Sequence, residues 1–169
     1  MSVVRVYLPA TVRMLSSLAE FGEWRSVEAH AVTPALREWY TEGDEEELEY
    51  VAFTRAAQAA LQLLADSDAP SLRVVVSADV SDATVNTSGA ELGSSTATLR
   101  EPAALRDVAA IHVDAEEASP DVAAAAAVID RAKRGDEAAQ FTVDSTEDHE
   151  LEWYDVTELD DLIARFAQT

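Results

Sequence analysis

Apolar and polar positions alternate with a period of two in several short stretches and recur at helical spacing in others, which predicts a chain of strands and helices in succession. Val3 to Leu8 alternates and is closed by Pro9, as a strand would be. Thr11 is then placed to cap a helix carrying Val12, Leu15, Leu18 and Ala19, stopped at Phe21 and Gly22. Val27 to Val32 predicts a second strand. Thr33 followed by Pro34 predicts a short helix with proline at its first position and Leu36, Trp39 and Tyr40 on its apolar face.

The longest run that reads as one helix without proline or glycine inside it is Asp44 to Leu64. Asp44 with Glu47 three positions later has the form of a capping box, and Asp44 to Glu47 put negative charge at the positive end of the helix dipole. Leu48, Val51, Ala52, Ala56, Ala59, Ala60, Leu63 and Leu64 follow at helical spacing, widened by Tyr50, Phe53, Ala57 and Leu61. So broad an apolar surface predicts a helix covered by a sheet on one side and by another helix on a second, with Arg55, Gln58 and Gln62 exposed.

Leu72 to Ala78, with three consecutive valines, predicts a strand buried on both faces. Residues 81–95 are rich in Ser, Thr, Asn, Asp and Gly and predict a mobile connection with at most a weak strand at Thr84 to Thr87. Thr96 to Arg100 suits an edge strand, Pro102 to Asp107 a short helix, and Val108 to Val113 a buried strand. Ser119 and Pro120 open a helix that runs through Val122, Ile129 and Ala132 to Gly135. Residues 136–149 predict a partly mobile acidic loop in which Phe141 and Val143 are able to pair. Glu150 to Val156 then alternates as a strand, and Thr157 caps a closing helix with Leu159, Leu162, Ile163 and Phe166 facing the core. The expected architecture is a single α+β domain over residues 1–169, with a mixed sheet of about five or six strands packed by one long helix and several shorter ones. The three-valine strand and Val108 to Val113 belong in its interior, and Val3 to Leu8 and Glu150 to Val156 nearer its flanks.

Charge changes this picture most. The chain of 169 residues has 33 acidic and 12 basic side chains, a net charge of −21, with Lys133 the sole lysine. Such a surface excludes direct cationic contact with nucleic acid and attraction to anionic membranes. There is no cysteine, hence no disulfide framework or thiolate site. No stretch approaches the ~20 apolar residues of a membrane span, and the amino terminus lacks the pattern of a signal peptide, so the expected compartment is the cytoplasm.

Candidate chemistry is sparse. His30, His112 and His149 are the only histidines, and their convergence, with Glu28 or Asp114 beside them, would make a transition-metal site. No HExxH or HxH spacing supports it. The carboxylate runs lack a calcium-loop pattern, and neither GxSxG, GxxxxGK nor GxGxxG occurs. No cofactor is expected. Two function classes follow. The first is a non-catalytic interaction or regulatory module whose protein partner meets Trp39, Tyr40, Glu42, Asp44, Glu45 and Glu46. The second is a metal-assisted hydrolase or small-ligand-binding protein built on His30, His112 and nearby carboxylates.

Two resemblances bear on this. HELEWYDVTELDDLIARF resembles the closing strand and helix of many Nudix hydrolases, but where their metal-binding box would lie the helix after Gly43 has Arg55, Ala56, Ala57, Gln58 and Ala59, so pyrophosphate hydrolysis is not implied. Over nearly the whole chain, RVYLPATVRML, AHAVTPALREWYTEGDEEELEYVAFTRAA, RVVVSADV, AAIHVD and EDHELEWYDVTEL resemble an uncharacterised family of small, acidic, alanine-rich actinobacterial proteins, a domain of unknown function. That resemblance implies a cytoplasmic bacterial protein and carries no catalytic residue.

Overall fold

The computed structural model describes residues 2–167. In chain order its regular elements are β1 (Val3–Ala10), α1 (Met14–Phe21), β2 (Glu23–Trp24), β3 (Glu28–Ala31), α2 (Pro34–Trp39), α3 (Glu45–Ala65), β4 (Val74–Ser81), β5 (Val85–Asn86), β6 (Thr96–Leu99), β7 (Ala103–Ala104), β8 (Val108–Asp114), α4 (Ser119–Lys133), α5 (Glu137–Asp144), β9 (Leu151–Tyr154) and α6 (Leu159–Phe166). Short single-turn helices link several of them. Seven strands form one sheet in the order β5, β6, β3, β1, β4, β8, β9, while β2 and β7 make a separate two-stranded ribbon.

The domain is α+β as its pattern predicts, with three differences. Every pairing in the main sheet is antiparallel, so the sheet is not mixed. The weak segment near Thr84 does pair, as Val85 and Asn86 against Leu99 and Thr98, and makes the sheet seven-stranded. β1 lies fourth of seven and not at a flank. Its position follows from its side chains: Val6, Leu8 and Ala10 are buried on one face and Tyr7 on the other, so both faces need cover. β9, by contrast, is an edge strand, as expected.

Alternation divides the sheet into two unlike faces. One is apolar: Val6 and Leu8 of β1, Val74, Val76 and Ala78 of β4, and Ile111 and Val113 of β8 pack with Leu15 and Leu18 of α1 and Leu159, Leu162 and Phe166 of α6. The other is mostly polar. Tyr7 is paired in register with both His30 and Ser77, Ser77 with Ala110, and Arg5 with Asp79, which places these side chains on one side. α3 covers that face, packing Ala52, Ala56 and Ala57 on Tyr7 and Val75. Its far end packs Leu61 and Leu64 on Val122, Ala125 and Ile129 of α4 and on Ala139 and Val143 of α5. Sheet on one side and helix on another is the environment its broad apolar surface predicts. The alanines let the backbones approach closely.

Local chemistry sets the element ends. Asp44 caps α3 by accepting from the Glu47 amide at 2.8 Å, and Thr33 caps α2 by accepting from Leu36 at 3.0 Å with Pro34 in the first turn. Gly22, with φ of 69°, ends α1. Elsewhere the cap moves. Thr11 makes no cap for α1, Ala118 occupies the cap position of α4 without a side-chain bond, and Asp155, not Thr157, accepts the capping hydrogen bonds before α6.

The acidic segment 136–149 is helical and not a loop. Asp136 caps α5 by accepting from the Ala139 amide at 2.9 Å, and Ala139 and Val143 are buried one turn apart, so Phe141 and Val143 do not pair as a strand. In Pro102 to Asp107, Ala103 and Ala104 pair with Trp24 and Glu23, and the helical part shrinks to one turn at Leu105–Asp107. The end of the 81–95 connection is tied down. Gly93 has φ of 83°, its amide bonds to the Ala35 carbonyl at 3.0 Å, and a Cβ there would lie 3.1 Å from the Trp39 ring, so only glycine fits without strain.

Candidate functional site

A cleft of about 750 Å³ lies between α3, the polar face of the sheet and the segment leading into β9. This volume falls within the range of sites that hold small organic ligands. Its floor is a series of side chains at alternate strand positions. Arg5 forms a two-pronged pair with Asp79, with Nε donating to Oδ1 at 2.6 Å and Nη2 to Oδ2 at 3.0 Å. The Tyr7 hydroxyl donates to Glu49 of α3 at 3.3 Å. Ser77 Oγ and His112 Nε2 are hydrogen-bonded at 2.8 Å. Phe53 stands edge-on to both Tyr7 and His112, with ring centroids 5.8 and 4.8 Å away, so α3 is keyed to the floor by a row of rings.

The wall beside β9 hangs on one buried ion pair. Arg73, just before β4, donates to Asp114 from its backbone amide at 2.7 Å, from Nε at 2.9 Å and from Nη2 at 2.8 Å, and Nη2 also reaches the His149 carbonyl at 3.2 Å. The side chains of Arg73 and Asp114 are 4% and 0% exposed. Thr146, Glu147, His149, Glu150, Leu151 and Trp153 form this wall. On the α3 side stand Glu46, Glu49, Tyr50, Thr54, Arg55 and Gln58. Tyr50 and Trp153 are each 61% exposed, which is a large apolar area left open to water on the cleft lining.

Burial governs the floor's ionisation. Desolvation pushes the His112 imidazole down to about 4, and the nearby Arg5 guanidinium adds to the shift. His112 is therefore neutral at pH 7. The Tyr7 phenol is raised above its ordinary value, first by burial and then by the charge of Glu49, and stays a hydrogen-bond donor. Ser77 and His112 have the separation of a nucleophile and base, yet Ser77 is almost fully buried within β4, where the register to β8 shifts after it, and His112 has no carboxylate partner among the described residues. The arrangement therefore lacks the exposed hydroxyl and the oriented base of a nucleophilic pair.

The structure separates the three histidines. His30 is on β3 and His112 on β8, three strand spacings apart in the sheet, or about 14 Å. No metal ion spans that distance. His30 Nδ1 is hydrogen-bonded to Ser95 Oγ at 2.8 Å, and burial together with the charge of Arg55 lowers its pKa to about 4. His149 Nε2 contacts Asp121 of α4 at 2.7 Å. No group of three or more His, Cys, Asp or Glu side chains is placed to hold a metal ion among the described residues. His112 and His149 both line the cleft, and His30 does not.

Of the acidic patch read from the sequence, Tyr40 and Glu46 line the cleft, while Trp39 is 59% exposed outside it and packs one ring face on Gly93. Glu42, Asp44 and Glu45 are exposed, with Asp44 engaged as a cap and Glu45 paired to Arg37. The sequence pattern does not single out Arg5, Tyr7, Glu49, Tyr50 or Ser77 as site residues, and it presents Glu147 and Glu150 as part of a solvated acidic run and Trp153 as a packing residue. The signal for the floor was present: polar residues recur at alternate positions in Arg5 and Tyr7, Ser77 and Asp79, and His112 and Asp114, within otherwise apolar strands.

A family model spans residues 4–163, nearly the whole domain and every element of the cleft. The chain belongs to this family, a family of unknown function (DUF6912). No curated protein and no solved structure matches the chain. Family membership therefore supplies no activity. Among the described residues no helix is long and apolar enough to cross a membrane.

Proposed function

We propose that this family member is a small-ligand-binding domain that holds an organic molecule in the cleft between α3 and the polar face of the sheet. The observation that carries the reading is the cleft itself, in which a hydrogen-bonding floor of Tyr7, Ser77 and His112 lies beneath exposed rings at Tyr50 and Trp153. Buried directing polar groups beside open apolar surface are the two components of small-molecule recognition. The proposed role is binding, coupled to a regulatory or storage function, with no catalytic step and no metal.

Amide chemical-shift mapping against a library of small organic fragments tests the reading. Binding fragments should move the amides of 49–58 in α3, 110–112 in β8 and 146–153 around β9. Shifts confined to other surfaces, or none across the library, would remove the cleft as the site.

A second reading is favoured by the exposure of Trp39 beside the acidic turn at Glu42 to Glu46, which suits a protein partner with a basic, apolar contact surface. Trp39→Ala should weaken that partner's binding and leave fragment shifts in the cleft unchanged.

A further inference from the structure

Charge in the cleft is distributed unequally between paired and unpaired groups. Three arginines line it, and two are already neutralised by carboxylates of the protein itself, Arg5 by Asp79 and Arg73 by Asp114. The third, Arg55, donates to the Gly93 carbonyl. Four glutamates line the same cleft, Glu46 and Glu49 from α3 and Glu147 and Glu150 from the opposite wall, and none is in an ion pair among the described residues. Only Glu49 has a side-chain hydrogen bond, from Tyr7, and that donor is neutral. The unpaired charge facing the cleft is thus four carboxylates against one guanidinium.

The remaining lining fits the same occupant. Tyr50 and Trp153 present exposed rings, Tyr40 adds a third, and Phe53 closes the base. The negative faces of aromatic rings attract cations, and the attraction strengthens where water is displaced. The floor contributes no net opposing charge, because Tyr7, Ser77 and His112 are neutral at pH 7 and Arg5 is paired with Asp79. A net charge of −21 also concentrates cations around the whole molecule.

Resting on the small-ligand reading above, we infer that the cleft selects an organic cation, an amine or guanidine joined to a ring or alkyl body, whose charge lies among Glu46, Glu49, Glu147 and Glu150 while its apolar part rests on Tyr50 and Trp153. Anions and neutral molecules of the same shape are disfavoured, since the four carboxylates are left unpaired beside them.

Calorimetric titration of the full chain with three probes of one shape tests the inference: phenethylamine, 3-phenylpropionamide and 3-phenylpropionate. The amine should bind at least about tenfold more tightly than the amide, with the carboxylate weakest. Glu49→Gln with Glu147→Gln should remove most of that preference, and both substitutions keep hydrogen-bonding side chains so that the fold is retained. Tyr50→Ala, at an exposed helix position, should weaken the amine several-fold. Added salt should weaken the amine and leave the amide unchanged. Equal binding of amine and amide, or preference for the carboxylate, would overturn the cation inference and leave the cleft as a ligand site. Absence of binding by all three would overturn both.

Discussion

Single residues hold the cleft open, and their contributions differ in kind. Arg73 and Asp114 are buried together with several hydrogen bonds between them, so removing one leaves the other's charge uncompensated. Asp114→Ala should destabilise the domain by about 3–5 kcal/mol, read as a shift in the urea midpoint, because breaking a buried pair costs far more than omitting it. The histidines act through pH. His30 and His112 have folded-state values near 4 against 6.5 for the free side chain. Above pH 6.5 both states are neutral and stability is fully present. As pH falls below 6.5 the unfolded chain takes up protons that the folded one refuses, and stability is lost down to about pH 4, by up to about 3 kcal/mol for each histidine. Urea midpoints measured across that window should fall with acidity, and His112→Gln, which keeps a partner for Ser77, should reduce the slope. An unchanged slope would mean that the imidazole is not shielded in the folded state.

At the scale of the element, the sequence was most legible where local chemistry and tertiary packing agree. α3 is such a case: the cap at Asp44 and the broad apolar surface both follow from residues a few positions apart. Asp44→Ala should cost about 1 kcal/mol in thermal or denaturant unfolding, whereas Ser119→Ala should have less than about 0.5 kcal/mol of effect, since Ser119 makes no capping bond to α4. Misreadings arose where partners come from far along the chain. The sequence pattern of α5 reads as a loop because its buried face is only Ala139 and Val143, and their cover is α4. The short apolar alternation of β1 suits a flank and does not reveal that α3 covers Tyr7 from the other side. The cleft suffered from the same limit. Arg5, Ser77 and His112 are separated by scores of residues in the chain, and only the register of β1, β4 and β8 brings them onto one face.

For the whole molecule, the two faces of the sheet differ in kind, and the proposed binding role belongs to the polar one. α1 and α6 cover the apolar face and close the main core over it, so the opposite face is free to carry polar side chains and a partly open cleft under α3. The strongly negative surface read from composition gains a specific meaning at that cleft, where acidic groups remain unpaired while two of its three arginines are held by carboxylates. The most direct measurement is native mass spectrometry of the intact chain after incubation with the small-molecule fraction of a bacterial extract, beside a Thr54→Trp variant that places an indole in the cleft from a partly exposed position on α3. A small-molecule adduct is expected on the unmodified chain and is lost in the folded variant. An identical adduct on both proteins, or none on the unmodified chain, would contradict the proposed binding role.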